Sequence, residues 1–305
     1  MAKKKFDTNN LVIICEGTET EWPYFEYIKN KVKHNFADIK VVPSPEDKDT
    51  LQELRLRLDR PPELITKESV PLLDREVTDV DLDYVVSAAS KYSPWASATI
   101  ASGYITATGG HRVGICGDVA IVDGQLNTIR SVTSLCLRVA RDFYDIVPQK
   151  SQVTGSVLII GPPGSGKTTF LRDLIRSRCK LSGGCVAVVD ERRELFPVVD
   201  NRFCFFPGLR TEVLSGCGKP EGMEMLLRTM NPVTIAVDEI TAKEDTEALI
   251  NCAWCGVEIL ATAHANDWRD FLHRPVYRCL ADSNIFQNVI VMNRDKSWTW
   301  ERVNE

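Results

Sequence analysis

No stretch of the 305 residues comes near the roughly 18 consecutive apolar side chains that a membrane-crossing helix needs. Lys3, Lys4 and Lys5 are followed by too short an apolar run for a secretory signal, so the chain is expected to stay in the cytoplasm. Positive charge is not in excess: 37 Lys and Arg stand against 42 Asp and Glu, a net charge of -5. That balance removes a global field favouring nucleic acid and leaves only a local basic patch open. Internal repeats and low-complexity tracts are absent, which argues against a solenoid or a disordered tether. A complete zinc spacing is missing too. Of ten cysteines only Cys252 and Cys255 form a C-x-x-C, with no second pair or nearby histidine. The thiols are therefore expected to be free and mostly buried. What is present is ordinary globular material, 44% hydrophobic and 26% charged, enough for a well-buried domain and a smaller one, or for two moderate ones.

Leu11 to Cys15 is an apolar run ending at Glu16-Gly17, and Trp22 to Val32 has amphipathic helical spacing. Val41 to Asp49 (VVPSPEDKD) reads as a linker, which predicts a boundary near residue 48 between an opening segment, 1–48, and a domain over 49–147. Beyond Leu51, LRLRL alternates like a strand, and Asp79 to Ser90 has a helical pattern with Thr78 as its N-cap. From Tyr104 to Arg141, short alternating runs are separated by Gly109-Gly110, Gly117-Asp118 and Asp123-Gly124, expected as turns of a small antiparallel sheet. After Val147-Pro148 the pattern becomes apolar strand, loop, helix. Val157 to Ile160, Cys185 to Val189, Thr234 to Val237 and Glu258 to Ala261 each precede a turn or helix. Continuous apolar strands with helical crossovers imply a parallel sheet covered on both faces over 148–305.

Gly161-Pro162-Pro163-Gly164-Ser165-Gly166-Lys167-Thr168 fits G-x-x-x-x-G-K-[ST], between the strand SVLII and a helix opening at Thr169. Glycines let successive backbone N–H groups turn inward toward phosphate oxygens, and the helix N-terminus adds positive potential. In such a loop the lysine, Lys167, reaches the β and γ phosphates and Thr168 ligates Mg2+, so ATP and Mg2+ are the expected ligands. Thr234 to Val237 delivers Asp238-Glu239 to a strand end. Asp238 is the candidate to hold the metal through water and Glu239 to orient or deprotonate the attacking water; the bland alternative is an acidic helix cap. Val186 to Val189 likewise ends in Asp190-Glu191, which by itself is open between a cap and a second catalytic carboxylate. Glu258 to Ala261 leads into Thr262-Ala263-His264. Lone histidines are commonly structural, but this one follows the strand after the acidic pair, and by analogy with RecA-like ATPases, where that strand carries a polar sensor, Thr262 or His264 is a candidate sensor of the γ-phosphate.

These segments, with VVSAASKYSPWASATIASGYITATGGHRVGICGD, RSVTSLCLRVARD, VAVVDERRELFP, ATAHAND and NRDKSW, resemble the bacterial stage III sporulation protein AA family from about Leu51 to the C-terminus. That family is similar to the hexameric secretion ATPases. The resemblance implies an α/β fold, with a RecA-like P-loop NTPase core behind a smaller α+β N-terminal domain. It matches Gly161 to Thr168 to a Walker A element, Asp190-Glu191 to an acidic box, Asp238-Glu239 to Walker B and His264 to a histidine box. It also implies that arginines of the smaller domain complete the site, with Arg112, Arg130, Arg138 and Arg141 as candidates. Further implications are a homo-oligomeric, hexameric ring, other stage III sporulation proteins at the membrane as partners, and a role in the channel complex between mother cell and forespore. No nucleic acid is expected, since no single-strand-binding module follows Arg294-Asp295-Lys296; a nucleic-acid-associated ATPase and a nucleotide-binding scaffold are the rival readings.

The opening departs from that family. NNLVIICEGTETEWPYFEYI resembles the start of RloB-like, Toprim-type proteins, in which Glu16 would be the catalytic glutamate. A Toprim metal site also needs a D-x-D pair, and Asp79-Val80-Asp81 has the spelling but stands at a helix start. The segment over 1–47 is expected to be a foreign fragment, dispensable for ATP hydrolysis.

Overall fold

The structure, a computed structural model, describes residues 51–66, 76–90, 103–122, 125–147, 153–181, 183–199 and 201–303. The strand and helix expected before residue 48, Glu16, the 41–49 linker and the Asp123-Gly124 turn lie outside the described residues. The chain divides into two compact units between Arg141 and Asp142, somewhat before the boundary expected at 147.

Among its described residues the first unit is an antiparallel sheet with one α-helix. Its strands are β1 (Leu51–Arg57), β2 (Glu63–Thr66), β3 (Tyr104–Thr106), β4 (Arg112–Val122) and β5 (Gln125–Arg138), in the order β2-β1-β5-β4-β3. The alternation in LRLRL does what period two requires: Leu54 and Leu56 are buried, while Arg55 and Arg57 pair with Glu53 and Glu63. Helix α1 (Asp79–Ser90) contributes Leu82 and Val85 to the same core as Ile105, Val113, Ile115 and Leu135. Its start is a capping box: Thr78 Oγ1 accepts from the Asp81 N–H at 3.3 Å, and Asp81 Oδ2 accepts from the Thr78 N–H at 2.9 Å. The Asp79/Asp81 pair thus serves the helix terminus. Gly117-Asp118 is not the expected turn. It lies inside β4, where the pairing with β5 slips between Cys116 and Gly117 and again between Asp118 and Val119. A Cβ on Gly117 would sit 1.8 Å from the Ser131 carbonyl oxygen, so glycine here permits a bulge against the neighbouring strand.

The second unit is built on a seven-stranded sheet, order β10-β7-β11-β12-β6-β13-β14. Its elements in chain order begin with β6 (Val157–Ile160), α2 (Lys167–Leu181), β7 (Val186–Asp190), the small hairpin β8 (Val198–Val199) and β9 (Arg202–Phe203), and β10 (Thr211–Ser215). They continue with α3 (Lys219–Met230), β11 (Thr234–Ile240), α4 (Lys243–Trp254), β12 (Glu258–Ala263), α5 (Trp268–His273), α6 (Arg278–Ser283), β13 (Asn288–Met292) and β14 (Trp298–Arg302). Only β14 is antiparallel to its neighbour. The apolar runs are buried along their full length because both faces are covered. Leu158, Ile160, Ala187, Val189, Ile235 and Val237 form one core with Met223 of α3, Leu249 of α4 and Phe271 of α5. The alternate set, Val157, Ile159, Val186 and Val188, turns to the opposite face, where α2 lays Phe170, Leu171, Leu174 and Ile175. Each such side chain, fully buried, contributes roughly 1.5–3 kcal/mol.

Helix α2 also buries charge. Arg176 makes a two-pronged contact with Asp142 at 2.8 and 2.6 Å and donates to the carbonyls of Phe143 and Phe206. Arg172 donates to the carbonyls of Leu195 and Glu194, and Asp173 accepts from the N–H groups of Asp145 and Val147. The helix after the glycine-rich loop therefore anchors both 142–147 and 194–206, with the buried guanidinium groups supplied with acceptors. The described cysteines are all free, but only Cys179 and Cys252 are fully buried, contrary to the expectation of mostly buried thiols. Cys116, Cys255 and Cys279 sit at exposed positions of β4, the end of α4 and α6.

Candidate functional site

The parallel strands β11, β12 and β6 lie side by side, and their C-terminal ends carry Asp238-Glu239, Thr262 to His264 and the glycine-rich loop. In an open parallel sheet this end is where ligands bind. Gly164 and Gly166 adopt φ of 73° and 96°, the left-handed region that lets the loop fold back on itself. Ser165 is buried and its hydroxyl has no hydrogen-bond partner among the described residues. Pro162 accepts through its carbonyl from the Ser165 N–H at 3.2 Å, Pro163 is exposed, and Thr169 follows Thr168 into the first turn of α2.

Lys167 is 6% exposed, and its Nζ donates to the carbonyls of Gly161 at 2.9 Å and Pro162 at 3.0 Å. Burial lowers its pKa, with the Asp238 and Glu239 charges opposing the shift. Its third contact is His264 Nδ1 at 3.1 Å, and His264 Nε2 lies 3.1 Å from Glu239 Oε1. With the ammonium donating to Nδ1, the imidazole must present Nε2–H to the carboxylate. Thr168 Oγ1 donates to Asp238 Oδ2 at 2.7 Å, and Thr262 Oγ1 donates to Asp238 Oδ1 at 2.6 Å while accepting from the Glu239 N–H at 2.7 Å. Lys167, Thr168, Asp238, Glu239, Thr262 and His264 thus form one continuous network.

The strand backbone is bent to make that network. Glu239 has φ 54°, and the pairing of β11 with β12 slips between Val237 and Ile240. A non-glycine residue held there costs about 1–3 kcal/mol, a strain that clusters at functional sites. Glu239 Oε2 also pairs with Arg192 Nη1.

Glu191 is not in this network. Its Oε2 accepts from Lys219 Nζ at 2.6 Å, and Lys219, only 3% exposed, also lies 3.4 Å from Asp245. Arg138 and Arg141 belong to the first unit, where Arg138 stands 3.5 Å from Glu53 and Arg141 donates to the Leu51 carbonyl at 2.6 Å. Arg192, Lys219 and Lys296, whose Nζ donates to the Gly164 carbonyl, escaped the sequence reading. Each stands in or beside a recognised motif, but no spacing rule marks it.

Asp190 ends β7 in a structural role: its carboxylate accepts from the N–H groups of Glu194, Leu195 and Phe196. Burial nevertheless pushes its pKa up to about 6, against those donors and with Asp238 adding to the rise. A raised carboxyl favours the proton-bound fold, so its stabilising contribution is complete below about pH 4 and is lost as pH rises through about 6. The stability of the parent chain relative to Asp190→Asn should therefore fall between pH 4 and 7, by on the order of 3 kcal/mol. A pH-independent difference in unfolding free energy would contradict this.

The architecture and the loop define a RecA-like P-loop fold of the secretion-ATPase kind. Solved structures that share it include these two. One is the Legionella pneumophila ATPase DotB, with TM-score 0.55, 15% identity, and 95% of this chain and 83% of that one covered. The other is the pilus retraction motor PilT with bound ADP, with TM-score 0.54, 17% identity, and 81% and 76% covered. The family described as "Sporulation stage III, protein AA" matches residues 33–300, and the chain belongs to it. The stage III sporulation protein AA of Bacillus subtilis (strain 168) is 34% identical over 260 residues, covering 81% of this chain and 83% of that protein. The match begins at residue 33, ahead of the expected start near Leu51, so the 41–49 stretch falls within the family sequence rather than outside it.

Proposed function

We propose that the chain hydrolyses ATP with Mg2+ as a secretion-ATPase-like motor of endospore formation. The observation that carries this reading is the unbroken network from Thr168 through Asp238, Thr262, Glu239 and His264 to Lys167 at the ends of three adjacent strands. The orphaned Ser165 hydroxyl and the left-handed glycines fit a phosphate cradle. Gly161 to Thr168 wrap the phosphates, and Lys167 turns its ammonium from the loop carbonyls to the β and γ oxygens. Thr168 and Asp238 would hold Mg2+, which would supply charge neutralisation. Glu239 takes the proton of the attacking water, and His264 couples Glu239 to Lys167 and senses the γ-phosphate. Glu191 is the second carboxylate of the reading, released from Lys219 when it acts. Arg138 or Arg141 reaches the site of a neighbouring subunit in a hexameric ring.

No helix among the described residues is long and apolar enough to cross a membrane. The proposed location is the cytoplasm, with the protein drawn to the membrane by other stage III sporulation proteins. ATP turnover should be measured with Mg2+ alone, with single-stranded DNA, and with the cytoplasmic part of a membrane partner. Mg2+-dependent hydrolysis stimulated by the protein partner and indifferent to DNA is expected. Stimulation by DNA alone would replace this reading with a nucleic-acid motor, and absence of turnover under all three conditions would leave a scaffold.

A further inference from the structure

The turn between β13 and β14 is tightly specified. The Asn293 N–H donates to the Ser297 carbonyl at 2.9 Å, and the Lys296 N–H donates to the Asn293 carbonyl at 3.1 Å. Asn293 Nδ2 reaches Ser297 Oγ at 3.0 Å, and Asp295 Oδ1 accepts from both the N–H and the hydroxyl of Ser297. Residues 294 to 296 form a three-residue hairpin loop, whose last position is left-handed and favours glycine. Here that position is Lys296, at φ 72°. Local turn chemistry therefore does not explain the lysine.

Its side chain does. Lys296 Nζ donates to the carbonyl of Gly164 in the phosphate loop. A Cβ placed on Gly166 would stand 3.7 Å from Lys296 Cδ and 3.6 Å from Met292 Cε, so the hairpin runs along the loop. Burial is the main reason that the Lys167 pKa is low, and the Lys296 charge adds to it, as two cations over one loop must.

Strand order gives the direction. β6, which carries the loop, lies between β12 and β13. Glu239 and His264 are on the β12 side and Lys296 is on the β13 side. A nucleotide with its γ-phosphate toward Glu239 must point its α-phosphate and nucleoside toward β13. We propose that Lys296 is a second nucleotide-binding lysine, which gives up the Gly164 carbonyl to contact the α-phosphate end of the bound nucleotide. This rests on the ATPase reading and adds to it a contact shared by ATP and ADP.

The test is equilibrium binding of ATP and ADP to the full chain by calorimetry, with a Glu239→Gln background for ATP, together with KM, kcat and thermal midpoint. Lys296→Gly should bind both nucleotides roughly 10-fold more weakly, the size of one charge-assisted hydrogen bond. Its kcat at saturation should be unchanged, and its nucleotide-free thermal midpoint should be equal or higher, because glycine suits the left-handed position. Lys296→Arg should restore most of the affinity. Unaltered ADP affinity in Lys296→Gly, or a loss confined to ATP, would overturn the proposal, as would a lowered midpoint with the affinity loss not rescued by arginine. Lys167→Ala serves as the separate arm: if it binds nucleotide like the parent chain, the ATPase reading fails first.

Discussion

Glu239→Gln is expected to bind ATP as the parent chain does and to turn it over about 10²–10⁴-fold more slowly, whereas Lys167→Ala is expected to lose binding itself. The two residues are one histidine apart in the network, yet they are held in different ways. Lys167 Nζ is held by the carbonyls of Gly161 and Pro162, inside the loop proposed to wrap the phosphates. Removing it takes the only buried ammonium of the loop out of the cradle and leaves those carbonyls facing anionic oxygens. Glu239, by contrast, is placed by its backbone. Its φ of 54° and the hydrogen bond from its N–H to Thr262 do not depend on the carboxylate. A glutamine there can keep the hydrogen bond from His264 Nε2–H through its one oxygen, while its amide nitrogen cannot accept from Arg192, so the contact to His264 survives and the basicity is lost. Binding by calorimetry and single-turnover hydrolysis distinguish the two. An equal loss of affinity in both variants would show that the roles are wrongly assigned.

The parts legible in the sequence were those fixed by short-range rules. The glycine spacing, the four apolar strands and the Thr78 cap all appear where local pattern puts them, because each is decided within a few residues. The carboxylate pair and His264 were placed by strand ends, and they meet because β11, β12 and β6 are neighbours. What stayed hidden depends on contacts far along the chain. The bulge at Glu239 is a register slip against β12, and the one at Gly117 is a close approach to Ser131, so neither has a local signature. The charged stretch of α2 looks like a solvated face, yet Arg172 and Arg176 are buried because carbonyls from 194–206 and 142–147 collect around them. Glu191 reads as a free carboxylate next to Asp190 but meets Lys219 from the start of α3. Lys296 is invisible for the same reason: only the pairing of β13 with β6 brings its hairpin to the loop.

Loss of Arg138 is expected to lower turnover by about 10³-fold or more with nucleotide binding largely kept, the scale seen when an arginine is withdrawn from a transferring phosphoryl group. The local structure favours Arg138 over Arg141 for this task. The Arg138 side chain is 63% exposed and its one ion pair among the described residues, with Glu53, is a loose 3.5 Å, an interaction worth about 0–1 kcal/mol in such an exposed setting. It can be exchanged for a phosphate oxygen at little cost. Arg141 donates to the Leu51 carbonyl at 2.6 Å and is tied into the sheet it would have to leave. If the arginine acts across a subunit boundary, a ring that mixes Lys167→Ala and Arg138→Ala chains contains some sites with an intact loop from one chain and an intact arginine from the next. Such mixtures should hydrolyse ATP when neither variant alone does, with activity peaking near equal proportions. An arginine acting within its own chain gives no rescue, because every chain then carries a defect in its own site. Inactive mixtures of variants that each fold and assemble, or full turnover by a strictly monomeric chain at nanomolar concentration, would remove the shared-site ring from the proposal.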